Sequence, residues 1–176
     1  VDAGLEVLQK MGIEADLAIG DFDSLEKKPI KAREVHTFPS KKEKSDLALA
    51  LDFITKKEFE KIQIYNATGM RLDHFFSAIF DLANFSDGRI EIIDRHNVIR
   101  VMPSSFILTK EEVGNAYISF FALKENTFIS LEGFKYPLNF YELNLLDNLT
   151  LSNELAEEVG TVTITQPILL MITKDA

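Results

Sequence analysis

Apolar residues recur along the first half of the chain with alternating helical and strand periods. Leu5, Leu8 and Met11 share one face of a short helix over residues 4–11, closed by Gly12. Residues 17–20 and 34–38 read as short buried strands, the second stopped by Pro39. Leu47, Ala50, Leu51 and Ile54 then recur at helical spacing behind a Ser45-Asp46 start. Residues 61–66 predict a strand; Leu72, Phe75, Phe76, Ile79, Phe80 and Ala83 mark a second strong helix; and residues 90–94 predict another strand. Strands separated by helices in this way predict an α/β domain, a mostly parallel sheet flanked by helices.

The period changes after about Arg95. Short β-branched and aromatic runs follow one another over 97–102, 106–108, 116–121, 127–131, 161–165 and 168–173. Only 110–112 and 153–158 look helical. This half predicts an all-β sandwich or roll. The expected organisation is therefore residues 1–95 as an α/β domain and 96–176 as a β domain. The chain opens on a helical pattern with no initiator Met, which implies a strand before it.

Composition narrows the chemistry. The chain has 176 residues, 46% hydrophobic and 27% charged, the profile of a globular protein with a buried core. Its apolar run Ile168 to Ile172 is strand-sized, and no run comes near the roughly 20 residues a membrane span requires. There are no cysteines, which excludes disulfides, thiolate nucleophiles and Cys-type zinc sites and fits a cytoplasmic protein. A net charge of −9 with no basic stripe argues against nucleic acid as a partner. His36, His74 and His96 show no zinc-hydrolase spacing.

Three loops carry candidate chemistry. Gly20-Asp21-Phe22-Asp23-Ser24 follows the first strand, and in extended backbone Asp21 and Asp23 point the same way, toward one cation. Magnesium takes one or two carboxylates together with substrate phosphate oxygens. An Asp-rich turn with Asp23 or Ser24 capping a helix is the alternative. Lys42-Glu43-Lys44-Ser45-Asp46 precedes the second helix. Ser45 or Asp46 suits a helix cap; equally, Asp46 suits the same metal, with Lys42 or Lys44 reaching a phosphate. Gly69-Met70-Arg71-Leu72-Asp73-His74 leads from a strand into the Phe-rich helix, where backbone N–H groups and the Arg71 fork suit phosphate oxygens. Here too Asp73 suits a cap and His74 a packed first-turn residue. Together the loops predict one site at one edge of a parallel sheet, suited to phosphoryl or pyrophosphoryl transfer. No GxxxxGK[ST] loop is present.

The order GDFDS, then Lys-x-x-Ser-Asp, then GxRxDH resembles the thiamine pyrophosphokinase family. Leu131 to Leu138 (LEGFKYPL) and Leu151 to Glu154 (LSNE) are similar to that family's β-domain segments, so the resemblance spans essentially the whole chain. It implies transfer of the pyrophosphoryl group of ATP to the hydroxyl of thiamine, with AMP leaving. It further implies Mg2+ held by Asp21, Asp23 and Asp46, and Arg71 and Asp73 beside the triphosphate. Ser24, Lys42, Ser45, Gly69 and His74 would complete the nucleotide site. Ser152 and Asn153 would contact the aminopyrimidine of thiamine, and the protein would be a homodimer with sites between subunits. Asp73 or Asp46 would assist proton removal.

The chain has Met70 where the family pattern carries a second glycine, Ser45 where it carries Thr, and Glu43 where it carries Asp. Of these Met70 matters most, because a Cβ there restricts positive φ and crowds a close ligand. No Trp is available to stack on thiamine, which leaves Phe134 or Tyr136. Two other classes compete: a non-catalytic nucleotide- or thiamine-binding module, and a DxD-type phosphatase, which would want an Asp-Asp pair the chain lacks.

Overall fold

The computed structural model describes residues 1, 4–22, 31–39, 41, 43–69 and 71–175; Asp23, Ser24, Lys42 and Met70, singled out above, lie outside them. The chain divides into two compact units, Val1–Phe59 and Glu60–Ala176. Among the described residues no helix is long and apolar enough to cross a membrane.

In the first unit, helix α1 (Gly4–Lys10) stops where Gly12 takes φ 72°. That turn lets Gly12 N donate to Gln9 O at 3.1 Å and Ile13 N to Leu8 O at 2.9 Å, satisfying carbonyls the helix end leaves bare. Leu5 joins Ala15 and Ala18 in a small apolar core, with Leu8, Phe22 and Ala32 packed against it. Strands β1 (Ala15–Gly20) and β2 (Ala32–Thr37) pair in parallel, Gly20 opposite Thr37, so their carboxyl ends leave the sheet side by side. Helix α2 (Asp46–Ile54) buries Ala48 and Leu51 and packs on β1, as the apolar recurrence predicts.

The second unit holds β3 (Ile62–Ile64), α3 (Leu72–Phe85), β4 (Ile90–Ile93), β5 (Asn97–Met102), β6 (Phe106–Thr109), the short α4 (Lys110–Val113), β7 (Tyr117–Ala122), β8 (Thr127–Glu132), β9 (Leu138–Leu143), β10 (Val159–Ile164) and β11 (Ile168–Thr173). They form a five-stranded sheet, β3-β4-β5-β11-β7, and a four-stranded antiparallel one, β6-β10-β8-β9. Only β3 and β4 are parallel in the first; from β4 onward every neighbour is antiparallel. Ile118, Phe120, Ile168 and Leu170 from one sheet meet Ile129, Leu131, Leu143 and Val162 from the other, a sandwich core of the kind expected for this half.

The expected mostly parallel sheet is present in part, as the parallel pairs β1–β2 and β3–β4. Among the described residues β1 and β2 form their own two-stranded sheet, while β3 and β4 end a mixed one. Strand–helix alternation predicts parallel neighbours locally, but the joining of one pair to the next is decided by ladders between distant residues. The expected domain division at 95/96 falls in the tight turn between β4 and β5, two neighbours in one sheet, whereas the compact units divide after Phe59. Residues 153–158 are not helical: Ala156 N and Glu157 N donate to Gly133 O at 2.9 and 3.1 Å, and Lys135 N donates to Glu154 O at 2.9 Å. On α3 the buried face is Ala78, Ile79 and Leu82, whereas Leu72, Phe76 and Phe80, which help mark the helix in the sequence, are exposed.

One charged group is deep in the second unit. Glu91 on β4 is only 2% exposed, flanked in register by Gln63 and Arg100. It accepts from Gln63 Nε2 at 2.7 Å and pairs with Lys61 Nζ at 2.8 Å and Arg100 Nε at 3.6 Å. Burial pushes its carboxyl up, but the bonds from Gln63 and Lys61 and the charges of Lys61 and Arg100 outweigh that and hold it below its ordinary value of 4.5. The ionised form therefore stabilises the fold above the unfolded-state value, and that contribution disappears as pH falls through the lower folded value. Glu91→Gln is expected to lower unfolding stability at pH 7 by about 1–3 kcal/mol in urea titrations. The gap to the parent should narrow as pH falls below 4.5 and through the lowered folded value. An equal gap at pH 7 and pH 3 would rule out the charge as its source.

Candidate active site

In the first unit, Asp21 leaves the end of β1, and α2 begins at Asp46 on the segment that leaves the neighbouring end of β2. Phe38 N donates to Gly20 O at 3.1 Å, extending the pairing one residue past the strands. Ser45 is the helix cap: its hydroxyl accepts from Ala48 N at 2.9 Å. That leaves Asp46 in the first helical turn, where the macrodipole favours a carboxylate, with its Oδ1 shielded from solvent. Lys44 is turned along α2 to pair with Asp52. Among the described residues no group of three or more His, Asp or Glu is placed to hold a metal ion; Asp23, the third expected carboxylate, lies outside them.

In the second unit, the loop from β3 to α3 passes through Asn66 at φ 62° and Gly69, whose exposed position leaves open space around a notional Cβ. Arg71 is the N-cap residue of α3, and its own side chain makes no capping bond. Its carbonyl accepts from His74 N at 3.1 Å and Phe75 N at 3.2 Å. Its guanidinium grips Asp73 with two bonds, Nε to Oδ1 at 3.1 Å and Nη2 to Oδ2. Asp73 is therefore Arg71's partner rather than the cap the residue type also suits. The guanidinium bonds hold the Asp73 carboxyl below its usual range, and Asp73 in turn raises Arg71. Both side chains are exposed, so the pair contributes little to stability, and its consequence is orientation of the fork. His74 is exposed in the first turn of α3, not packed against the sheet.

A further carboxylate, not singled out in the sequence, closes another turn of this unit. Asp94, in the β4–β5 turn, accepts from His96 N at 2.7 Å, Asn97 N at 2.8 Å and Asn97 Nδ2 at 3.0 Å. Burial raises this carboxyl, but the Thr68 side chain and the bonds from His96 and Asn97 together hold it below the ordinary range. The Asp-x-x-Asn spacing directly after a strand is the sequence signal for such a turn.

On the β side, Asn153 is buried and its amide is occupied. Oδ1 accepts from Tyr136 N at 3.1 Å and Glu154 N at 2.9 Å, and Nδ2 donates to Tyr136 O at 2.9 Å. Its backbone exchanges bonds with Ile118 at 2.7 and 2.9 Å. Ser152 is exposed at φ 56°, with its N–H on Ser119 Oγ at 2.9 Å. Of the two aromatic candidates, Phe134 is core, edge-on to Phe120 at 5.7 Å, while Tyr136 is exposed. The arrangement thus presents Ser152 and Tyr136 to solvent from a scaffold that Asn153 closes.

The chain matches two family models, "Thiamin pyrophosphokinase, catalytic domain" over residues 1–93 and "Thiamin pyrophosphokinase, vitamin B1 binding domain" over residues 105–169. It is 37% identical over 180 residues to a thiamine pyrophosphokinase of Bacillus subtilis, covering 98% of this chain and 84% of that protein. The crystal structure of thiamine pyrophosphokinase from Bacillus subtilis superposes with a TM-score of 0.85 at 34% identity, over 99% of this chain and 86% of the other. That of thiamin pyrophosphokinase from Geobacillus thermodenitrificans gives 0.81 at 32%, over 99% and 85%. With both family models spanning most of its length, the chain belongs to the thiamine pyrophosphokinase family.

Proposed function

We propose that this chain is a thiamine diphosphokinase: it transfers the pyrophosphoryl group of ATP to the hydroxyl of thiamine, yielding thiamine diphosphate and AMP. The observation that carries the reading is the pair of family matches, catalytic over 1–93 and vitamin B1 binding over 105–169. The loop from β3 to α3 supports it, because a helix start preceded by Gly69, with the Arg71 fork at its N-cap making no capping bond of its own, is suited to an anion.

Asp21, Asp23 and Asp46 are the residues that would hold magnesium. They offer only hard oxygen donors, the set magnesium takes, and the shielded Oδ1 of Asp46 at a helix start fits that use. Bound there, magnesium supplies neutralisation of triphosphate charge. Arg71 donates its fork to phosphate oxygens while Asp73 fixes the fork's direction. The backbone N–H groups at Gly69 and the start of α3 take a second share of the phosphate charge. Ser24, Lys42, Ser45 and His74 border the nucleotide, Ser45 chiefly as the cap that sets Asp46 in the helix's first turn. Either Asp73 or Asp46 receives the proton from the thiamine hydroxyl.

On the acceptor side Ser152 faces thiamine, Tyr136 is the exposed aromatic available to its rings, and Asn153 shapes that surface through the backbone of Tyr136. The functional division follows the expected one, a nucleotide- and magnesium-binding part over 1–95 and a thiamine-binding part over 96–176. The working form is a homodimer in the cytoplasm, with sites between subunits.

Purified protein given thiamine, ATP and magnesium should produce AMP and thiamine diphosphate in equal amounts. Asp21→Asn should lower kcat/KM on the order of 100-fold. Thiamine binding without AMP would leave a binding module, and free phosphate without a thiamine ester would leave a phosphatase. A second comparison isolates the fork. Arg71→Lys keeps the charge and loses the two-pronged geometry, so its kcat/KM for ATP should fall about 10- to 100-fold. An unchanged value would mean that Arg71 does not touch the triphosphate.

A further inference from the structure

Strand β7 reads Tyr-Ile-Ser-Phe-Phe-Ala, and Ser119 interrupts its apolar and aromatic run. The residue is only 6% exposed, and a hydroxyl so placed needs a partner. Strand β7 ends the five-stranded sheet, with β11 on one side; residues 150–153 run along its other side. At one end of that contact Ile118 N donates to Asn153 O at 2.7 Å and Asn153 N to Ile118 O at 2.9 Å. At the other, Phe120 N donates to Thr150 O at 3.4 Å and Thr150 Oγ1 donates to Phe120 O. Between the two pairings β7 advances from 118 to 120 while the facing segment advances from 150 to 153, so the segment carries one extra residue. An extra residue must bulge, and a bulge re-aims a side chain. Ser152 lies within it, at φ 56°, a left-handed backbone uncommon outside glycine, with its side chain exposed. Its N–H goes not to the backbone of β7 but to Ser119 Oγ, at 2.9 Å.

We propose that Ser119 is a positioning residue for the acceptor: its buried hydroxyl holds the bulged backbone at Ser152, so that the Ser152 side chain is set in place before thiamine arrives. Asn153 is fixed separately, by Ile118 and by the backbone of Tyr136. Ser119 is the contact that holds the residue before it. A turn that must first be ordered loses affinity for its ligand, because the ordering opposes binding. Loss of the Ser119 hydroxyl therefore acts on thiamine and not on the nucleotide. This rests on the assignment of Ser152 to thiamine.

The test compares Ser119→Ala, which removes the hydroxyl, with Ser119→Thr, which keeps it on a side chain suited to a strand. Both are also made beside Ser152→Ala. Measured together are KM for thiamine, KM for ATP, the melting temperature, and hydrogen exchange of the Ser152 amide. Ser119→Ala should raise KM for thiamine about tenfold, leave KM for ATP unchanged, and speed exchange at Ser152 but not at Ile118. Ser119→Thr should recover most of the affinity. Beside Ser152→Ala, the same Ser119→Ala change should add less than about twofold, because it acts only through Ser152. A Ser119→Ala protein with the parent's KM for thiamine overturns the proposal. So does a rise in both KM values that tracks a lower melting temperature, or a full tenfold effect that persists beside Ser152→Ala. A parent protein that makes no AMP removes the functional reading alone; the same comparison is then read as the Kd for thiamine by calorimetry, with the same outcomes for and against.

Discussion

The ladder between β4 and β5 is the constraint on which the second unit depends. Glu91, Ile92 and Ile93 pair with Arg100, Ile99 and Val98 across it, and it turns a parallel β3–β4 pair into one end of an antiparallel sheet. Because side chains alternate across a strand, that one register decides what each face must do. Ile62, Ile90, Ile92, Ile99 and Val101 fall on one face, all buried, with α3 packed on β5. Phe120 and Leu170 fall on the other and enter the sandwich core. A slip of one residue would exchange the faces and bury Arg100 among the isoleucines, a far greater cost than any single packing defect. The same ladder sets Asp94 in the turn that joins its two strands.

Charge is used differently at different depths. Glu91 is buried, and its ionisation is tolerated because Gln63, Lys61 and Arg100 are built around it; removing one member leaves the rest stranded. The Arg71–Asp73 pair stands in water, where such a pair is worth at most about 1 kcal/mol. Its value is therefore geometric. A guanidinium whose direction is already set loses less freedom when it meets an anion.

Much of this was legible in the sequence wherever a local rule decided the outcome. The spacing of Leu47, Ala50, Leu51 and Ile54 gave α2, and Gly12 ended α1 through the positive φ that its position requires. Nonlocal decisions were not legible. Strand–helix alternation does not say that β1 and β2 part from β3 and β4 among the described residues. Helix α3 carries apolar residues around much of its circumference, so periodicity could not choose Ala78 and Leu82 for the core over Phe76 and Phe80. Strand β9 was missed because it is an edge strand whose Phe140 sits at φ 45°, stacked on Phe128 beside a register shift. Asn153 read as a ligand contact, yet its amide is taken up by the backbone of Tyr136, a pairing across 17 residues that no spacing rule discloses. Asp94 went unnoticed because a strand-ending Asp is common and its bonds to His96 and Asn97 close an ordinary turn.

The central claim is that carboxylates and a phosphate-binding helix start, on a chain of this family, move two phosphoryl groups as one unit. Following ATP labelled separately at its α, β and γ phosphorus tests this most directly. Transfer of a pyrophosphoryl group predicts that β and γ label both reach the thiamine ester while α label leaves entirely in AMP. Label confined to the γ position in the ester, with ADP formed, or label released as inorganic phosphate without an ester, would contradict the account.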